Sequence, residues 1–297
     1  MPIAVIAFDF DPLIRLGDDL VVRWQTLALA GVIASCLIVA GIIARRATLR
    51  ADDLLYIVVG AVPGAIVIGR LGYVLVHWDA FGADLPRIVD PASGGLDLAA
   101  GVVGGLLAGA YVASLLGTSI GRWAHLAALP LLVAIAAGKL TMVLGGSGQG
   151  LPSSQAWATA FLGPGPWGSL APQIPSDPSQ AYEGFATLIW ALAVILLTRI
   201  AVAARPDGRL LLIGIAGWAF LRAAVSTTWR DPVVLGPLGA AGILSVAVGV
   251  GALVILGTVI LPRARTGGRE PDPAVEGDTA VAAGEPAWPD PEARPPF

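Results

Sequence analysis

Three cations stand inside long apolar runs of this 297-residue chain: Arg70, Lys139 and Arg222. An ionisable side chain within a stretch long enough to cross a bilayer is costly to keep, and it marks a site. Each lies about four to six residues from one polar end of its run, which at 1.5 Å per residue is a depth of roughly 6–9 Å. Asp97 and Glu183 begin two further runs at that same boundary. Basic groups gathered at one depth suit the binding of an anion. Guanidinium holds a phosphate through two parallel hydrogen bonds, and ammonium serves as a compact point charge. The phosphate of a phospholipid in the adjoining leaflet is the natural occupant. The same residues also allow pairing within the protein, each cation meeting Asp97 or Glu183 or reaching the interface along its own apolar stem. Their spacing leaves both arrangements open.

The elements that must position these groups are membrane helices. The chain is 56% apolar and 13% charged, with a mean hydropathy of +0.79, whereas soluble domains run near a quarter charged. A spanning helix needs roughly 20 apolar residues. The runs 25–44, 54–76, 96–117, 124–144, 183–203, 210–228 and 237–261 meet that need, so the expected fold is an all-α integral membrane protein of seven transmembrane helices, with a membrane domain over residues 1–261. Gly101, Gly104, Gly105 and Gly109 put small residues at helical spacing in the third run, where two helices approach closely. Basic residues set the orientation. Arg45, Arg46, Arg50, Arg122, Arg205, Arg209, Arg263, Arg265 and Arg269 all fall on one side of a seven-span chain. The opposite segments carry Asp9, Asp11, Asp18, Asp19, Asp79, Asp84, Asp90 and Asp177, with only Arg15, Arg23, Arg87 and Arg230. The N-terminus is therefore expected outside and the C-terminus in the cytoplasm, which places the three cations in the outer half.

The connections add to this. The outer loop from about 145 to 182 is long, rich in Gly and Pro, and carries Trp157 and Trp167; loops of this length usually act or move. Its tryptophans suit an interfacial anchor and a substrate gate equally well. Residues 1–20 lack a basic leading segment and hold four aspartates, so they do not read as a cleaved signal peptide. Val32–Cys36 superficially resembles a lipobox, but the apolar run continues beyond it and fits a buried thiol in a helix. Residues 262–297, rich in Pro, Gly, Ala and acid, read as a disordered cytoplasmic tail. One cysteine gives no disulfide framework, and His77 and His125 are too few and too far apart for a metal cluster. The scattered basic residues form no nucleic-acid face.

In order along residues 8–261, the motifs resemble those of bacterial prolipoprotein diacylglyceryl transferases. Phe8-Asp9-Phe10-Asp11-Pro12 is similar to an N-terminal Phe-Asp-Pro segment, with Trp24 entering the first span. Gly69-Arg70-Leu71-Gly72-Tyr73-Val74 resembles the family's second-span motif, and Gly94-Gly95, Gly101 and Gly104 stand where it has a Gly-Gly and His-Gly-Gly stretch. Asp177-Pro178-Ser179-Gln180-Ala181-Tyr182-Glu183 closely matches the segment that opens the fifth span, and Phe220-Leu221-Arg222 corresponds to the Phe-Arg of the sixth. The resemblance implies seven spans in a bacterial cytoplasmic membrane and a reaction without cofactor. In it, the diacylglyceryl group of phosphatidylglycerol passes to the thiol of a lipobox cysteine in a preprotein, with glycerol 1-phosphate released. Lys139 and Arg222 are the expected catalytic cations at the phosphate. Arg70, Asp97, Ser179, Gln180, Tyr182, Glu183 and Arg230 are the expected substrate-binding residues.

The departures fall at working positions. Where the family has a candidate basic histidine this chain has Ala99 (or Ala100 with a slip of one). The fourth-span arginine is Lys139, and Thr141, Met142 and Gly145-Gly146-Ser147 replace its asparagines and acid. Gln25 stands for a tyrosine, Ser226 for a glutamate and Asp177 for a histidine, while Arg230 takes the place of a nearby arginine. Lysine keeps charge but loses the planar fork, and a lost general base removes roughly 10²–10⁴ in rate when proton transfer limits. Two readings are open: a divergent transferase, or a catalytically silent relative that binds phospholipid or a membrane protein partner. A transporter would call for inverted repeats or paired broken helices, which the sequence does not display.

Overall fold

The computed structural model describes residues 5–17, 20–90, 92–200 and 204–266. Packing divides the chain at Val259 into one compact unit, Met1–Val259, and a second stretch, Ile260–Phe297. Of the second, the described residues continue a helix to Thr266. The expected tail beyond 266, the acids Asp18 and Asp19, and the last three residues of the expected fifth span lie outside the described residues.

Among the described residues, seven helices are long and apolar enough to cross a membrane. They are α1 (Trp24–Arg46), α2 (Ala51–Val76), α4 (Leu98–Leu115), α5 (Ile120–Thr141), α6 (Ser179–Leu197), α7 (Arg209–Val225) and α8 (Ala240–Thr266), with a single turn α3 (Trp78–Phe81) after α2. Pro63 and Pro130 sit inside α2 and α5 without ending them. The protein is therefore a mostly helical, multi-pass membrane protein. Its lipid-facing logic is visible in the helix surfaces: Leu27, Ile33, Ile38, Val59, Ile66 and Leu71 are all exposed. So much apolar surface is stable only where the solvent is itself apolar.

α7 is the central element. Trp218, Leu210, Ile215 and Ala219 on it are buried against Leu132 and Ile135 of α5, Ala191 and Val194 of α6, and Ala99 of α4. α2 and α4 approach through small residues. A side chain at Gly104 would collide with the Gly64 carbonyl, and one at Gly64 would collide with Ala108 Cβ. In lipid such close backbone contact supplies the packing that a hydrophobic effect cannot.

Short strands join the helices at one end of the bundle. β1 (Ile6–Phe8) pairs in parallel with β4 (Thr159–Phe161), β2 (Leu13–Leu16) and β3 (Leu20–Arg23) form a hairpin, and β5 (Val233–Leu235) pairs with β6 (Leu238–Gly239). The long connection after α5 is thereby an ordered cap. The Phe8 ring stacks on Phe161 at 5.1 Å, Phe161 lies 4.9 Å from Trp167, and Phe10 meets Trp167 edge-on at 5.2 Å. Backbone bonds from Gly150 to Asp177 and Thr159 to Ser176 close the cap on itself, and one from Leu151 to Thr228 fastens it to the turn after α7.

Most boundaries shift by a few residues from expectation, and two of the shifts bear on the site. α6 begins at Ser179, directly after Pro178, and not at Glu183, because proline suits a helix start whether the residues after it are polar or apolar. Asp97 precedes α4 as its cap, accepting from the Ala100 amide at 2.8 Å, and so is not within the span.

Candidate active site

Antiparallel neighbours bring opposite helix ends together, and the charges here match the helix dipoles. Lys139 and Arg222 occupy the last turns of α5 and α7, where partial negative charge favours cations. Asp97 caps the start of α4, and Glu183 lies one turn into α6, where partial positive charge favours acids. These four ends converge beneath the cap.

Glu183 is the junction. It is 1% exposed. Its Oε2 lies 2.8 Å from Lys139 Nζ, and its Oε1 accepts from an Arg222 terminal nitrogen at 2.7 Å. The other terminal nitrogen of Arg222 is 3.5 Å from Asp97 Oδ2. Asp97 is fixed in turn, its amide donating to the Gly69 carbonyl of α2 at 2.9 Å. Removing these charges from water carries a large desolvation cost, which only close pairing offsets. Donors remain over: among the described residues Arg222 Nε has no hydrogen-bond partner, and the Lys139 ammonium has three protons and one acid. The indole of Trp229 covers both cations, 4.6 Å from the Arg222 guanidinium carbon and 5.9 Å from Lys139 Nζ.

Beside these groups lies a cavity of about 260 Å³, lined by Lys139, Glu183 and Arg222 together with Gly148, Gln149, Gln180, Trp229, Arg230 and Asp231. A larger apolar hollow of about 730 Å³ flanks it, running between β1, the end of α5 and the start of α6 past Phe8, Leu140, Leu144, Trp157, Tyr182 and Phe185. Lys139 and Leu140, and Gln180 and Ala181, are neighbours in sequence that line one hollow each. A polar chamber and an apolar one thus share the α5–α6 wall, the arrangement that suits a head and a tail of one amphiphile.

The structure brings some expected residues together and holds others apart. Lys139, Arg222, Glu183, Gln180 and Arg230 line the polar cavity, with Asp97 behind Arg222. Ser179 is buried under it, its hydroxyl 2.6 Å from that of Thr228. Tyr182 faces the apolar hollow and accepts from Trp157 Nε1 at 2.6 Å. Arg230 holds the cap, donating from Nε to the Gly150 carbonyl at 2.6 Å and from a terminal nitrogen to Ser176 Oγ at 2.9 Å.

Arg70 differs most from expectation. It does not join the other two cations. Its Nε donates to the Ile88 carbonyl at 2.8 Å and its terminal nitrogens to the carbonyls of Arg87, Asp90 and Gly95 at 2.9, 2.8 and 3.2 Å. A guanidinium so engaged is a clasp for the connection between α3 and α4, so the three-cation cluster is a two-cation one. Asp90 closes the same turn, and bonds from the Ser93 hydroxyl and the Ala92 amide hold its carboxyl below the ordinary range.

The substituted positions are also placed. Ala99 is fully buried in the α7 core, and Ala100 lies against Gly72. Gln25 accepts from the Ser147 hydroxyl at 3.2 Å, tying α1 to the cap. The two histidines sit elsewhere: His77 stacks on Tyr73 with ring centres 4.2 Å apart, and His125 lies toward the opposite end of α5. Gln149 and Trp229 were not anticipated, since nothing in a loop glutamine or a lone tryptophan distinguishes a lining residue from a surface one.

Comparison with known proteins gives the family. The sequence model of the prolipoprotein diacylglyceryl transferase family matches residues 12–258. A protein of Geobacter sulfurreducens named phosphatidylglycerol–prolipoprotein diacylglyceryl transferase is 29% identical over 239 residues, covering 78% of this chain and 88% of the relative. Proteins of the same name from Clostridioides difficile and Nostoc are 24% and 25% identical over 230 and 271 residues, covering 75% and 86% of this chain and 87% and 93% of themselves. The chain belongs to the prolipoprotein diacylglyceryl transferase family.

Proposed function

We propose that this member of the family transfers the diacylglyceryl group of phosphatidylglycerol to the thiol of a lipobox cysteine, using the cavity beneath the cap. The observation that carries the reading is the convergence of Lys139 and Arg222 on Glu183 at the junction of a polar and an apolar hollow. The lipid phosphate lies against the spare donors of Lys139 and Arg222, and an acyl chain lies along the apolar hollow past Leu140 and Phe185.

In the reaction the sulfur of the cysteine attacks the glyceryl carbon that bears the phosphate. A carbon–sulfur bond forms, the carbon–oxygen bond breaks, and its electron pair leaves on glycerol phosphate. Charge therefore grows on the leaving oxygens, and preset cations in a partly dry site are worth most there. Glu183 and Asp97 hold Arg222 in place, and Glu183 holds Lys139; as a carboxylate bridged by two cations Glu183 is a poor base. The thiol proton goes instead to solvent or to the departing phosphate. The spare donors of Lys139 and Arg222 beside the cavity favour the thiolate, which lets the reaction run without a histidine at Ala99.

The same reading sets the protein in a bacterial cytoplasmic membrane with residues 1–261 as membrane domain, the cap outside and residues 262–297 as a cytoplasmic tail. The preprotein then meets the site on the side where its lipobox emerges. The test is direct. Purified protein is given phosphatidylglycerol and a lipobox peptide, and the peptide mass is followed. A diacylglyceryl gain supports transfer. No gain beside an active relative leaves the binding-only alternative, which the alanine at position 99 favours.

A further inference from the structure

The transfer reading uses the cations of the cavity and leaves two amide side chains in its wall without a task. Gln180, on the first turn of α6, is 2% exposed, and among the described residues neither its Oε1 nor its Nε2 has a partner. Gln149, 7% exposed, donates from Nε2 to the Thr159 carbonyl at 2.8 Å. That bond fixes the amide and leaves its Oε1 without a partner among the described residues. Both line the same cavity as Lys139 and Arg222.

Buried polar atoms are nearly always hydrogen-bonded, so two acceptors and one donor in a single wall describe what they would bind. The backbone is shaped to present them. Gly148 has φ +77°, and a side chain there would come within 3.2 Å of Gln180 Cβ and 3.0 Å of Met142 Cε. Only glycine lets the 148–150 segment close on Gln180.

The matching group must donate as well as accept, be uncharged and stand next to a phosphate. An alcohol meets all three conditions. An ammonium offers donors only, and it would enter a cavity where Lys139, Arg222 and Arg230 already outnumber Glu183 and Asp231. We propose that Gln180 and Gln149 form a headgroup subsite that binds the free hydroxyls of a phosphate-linked glycerol, and so select phosphatidylglycerol among anionic lipids. The inference rests on the transfer reading for the position of the phosphate.

Phosphatidylmethanol carries the same phosphodiester charge without headgroup hydroxyls, which makes it the discriminating probe. Full-length protein in detergent is offered equal amounts of it and of phosphatidylglycerol with identical acyl chains, and the bound lipids are compared by native mass spectrometry. Wild type is expected to favour phosphatidylglycerol by about tenfold, since an analogue lacking the hydroxyl leaves buried amides unmatched. Gln180→Leu and Gln149→Leu should each bring the ratio toward one while lipid is still bound. A wild-type ratio near one overturns the proposal, as does a preference that survives both substitutions. If Gln180→Leu fails to fold, Gln149→Leu and the wild-type ratio decide. The ratio is read without turnover, so a failure of transfer to the peptide remains a separate result.

Discussion

At the scale of single residues, Glu183 does more than any other group to hold the site. Lys139 and Arg222 share its carboxylate, and removing it strips Lys139 of its acid and leaves Arg222 with Asp97 alone. Glu183→Ala is expected to lower stability by about 3–5 kcal/mol, read as thermal unfolding in detergent; an unchanged midpoint would show that the cations find other partners. Arg222 supplies a rigid fork anchored to two acids, which lysine cannot reproduce. Arg222→Lys should reduce the transfer rate constant by roughly 10²–10³ with the fold intact, and a rate within a few-fold of wild type would remove Arg222 from the phosphate site. The residue types at this centre were legible as cations at one depth with acids beside them. Which cation faced which acid was not, because the rotation of each helix about its axis is fixed by packing against α7, and no periodicity in the sequence encodes it. Hence Arg70, equal to Lys139 and Arg222 by depth, turns to the loop.

At the scale of elements, the clasp made by Arg70 is the clearest case of a charge serving structure. Its guanidinium gathers carbonyls from Arg87 to Gly95 and so holds the turn that leads into α4. Arg70→Ala should release this turn and speed amide exchange across residues 85–95 while phosphatidylglycerol binding changes by less than about threefold, a bound consistent with a residue that does not touch the phosphate. A larger loss of lipid binding with the turn still protected would return Arg70 to the phosphate. The spans themselves were readable because a bilayer demands about 20 apolar residues. Hydropathy puts the start of α6 at Glu183 because it counts Ser179 and Gln180 as outside, whereas the helix begins at Ser179, directly after Pro178. The order within the cap was not readable, since it comes from contacts distant in sequence, such as Phe8 on Phe161 and Arg230 on Gly150.

At the scale of the whole molecule, the site is built where helix ends and the long connection after α5 meet, and its access depends on which side of the membrane that end faces. With Cys36→Ser as background, Ser154→Cys in the cap should react with a membrane-impermeant maleimide in intact cells, while Ala47→Cys between α1 and α2 should react only after lysis; the reverse pattern would invert the orientation. Everything proposed for the Lys139–Glu183–Arg222 centre turns on a cysteine thiol displacing the lipid phosphate there. The release of glycerol phosphate from phosphatidylglycerol by the purified protein reads this step, with a lipobox peptide bearing cysteine and with the same peptide bearing serine. Release is expected only with the cysteine peptide, one glycerol phosphate for each peptide lipidated. Equal release with the serine peptide, or none with either beside an active relative, would overturn the displacement.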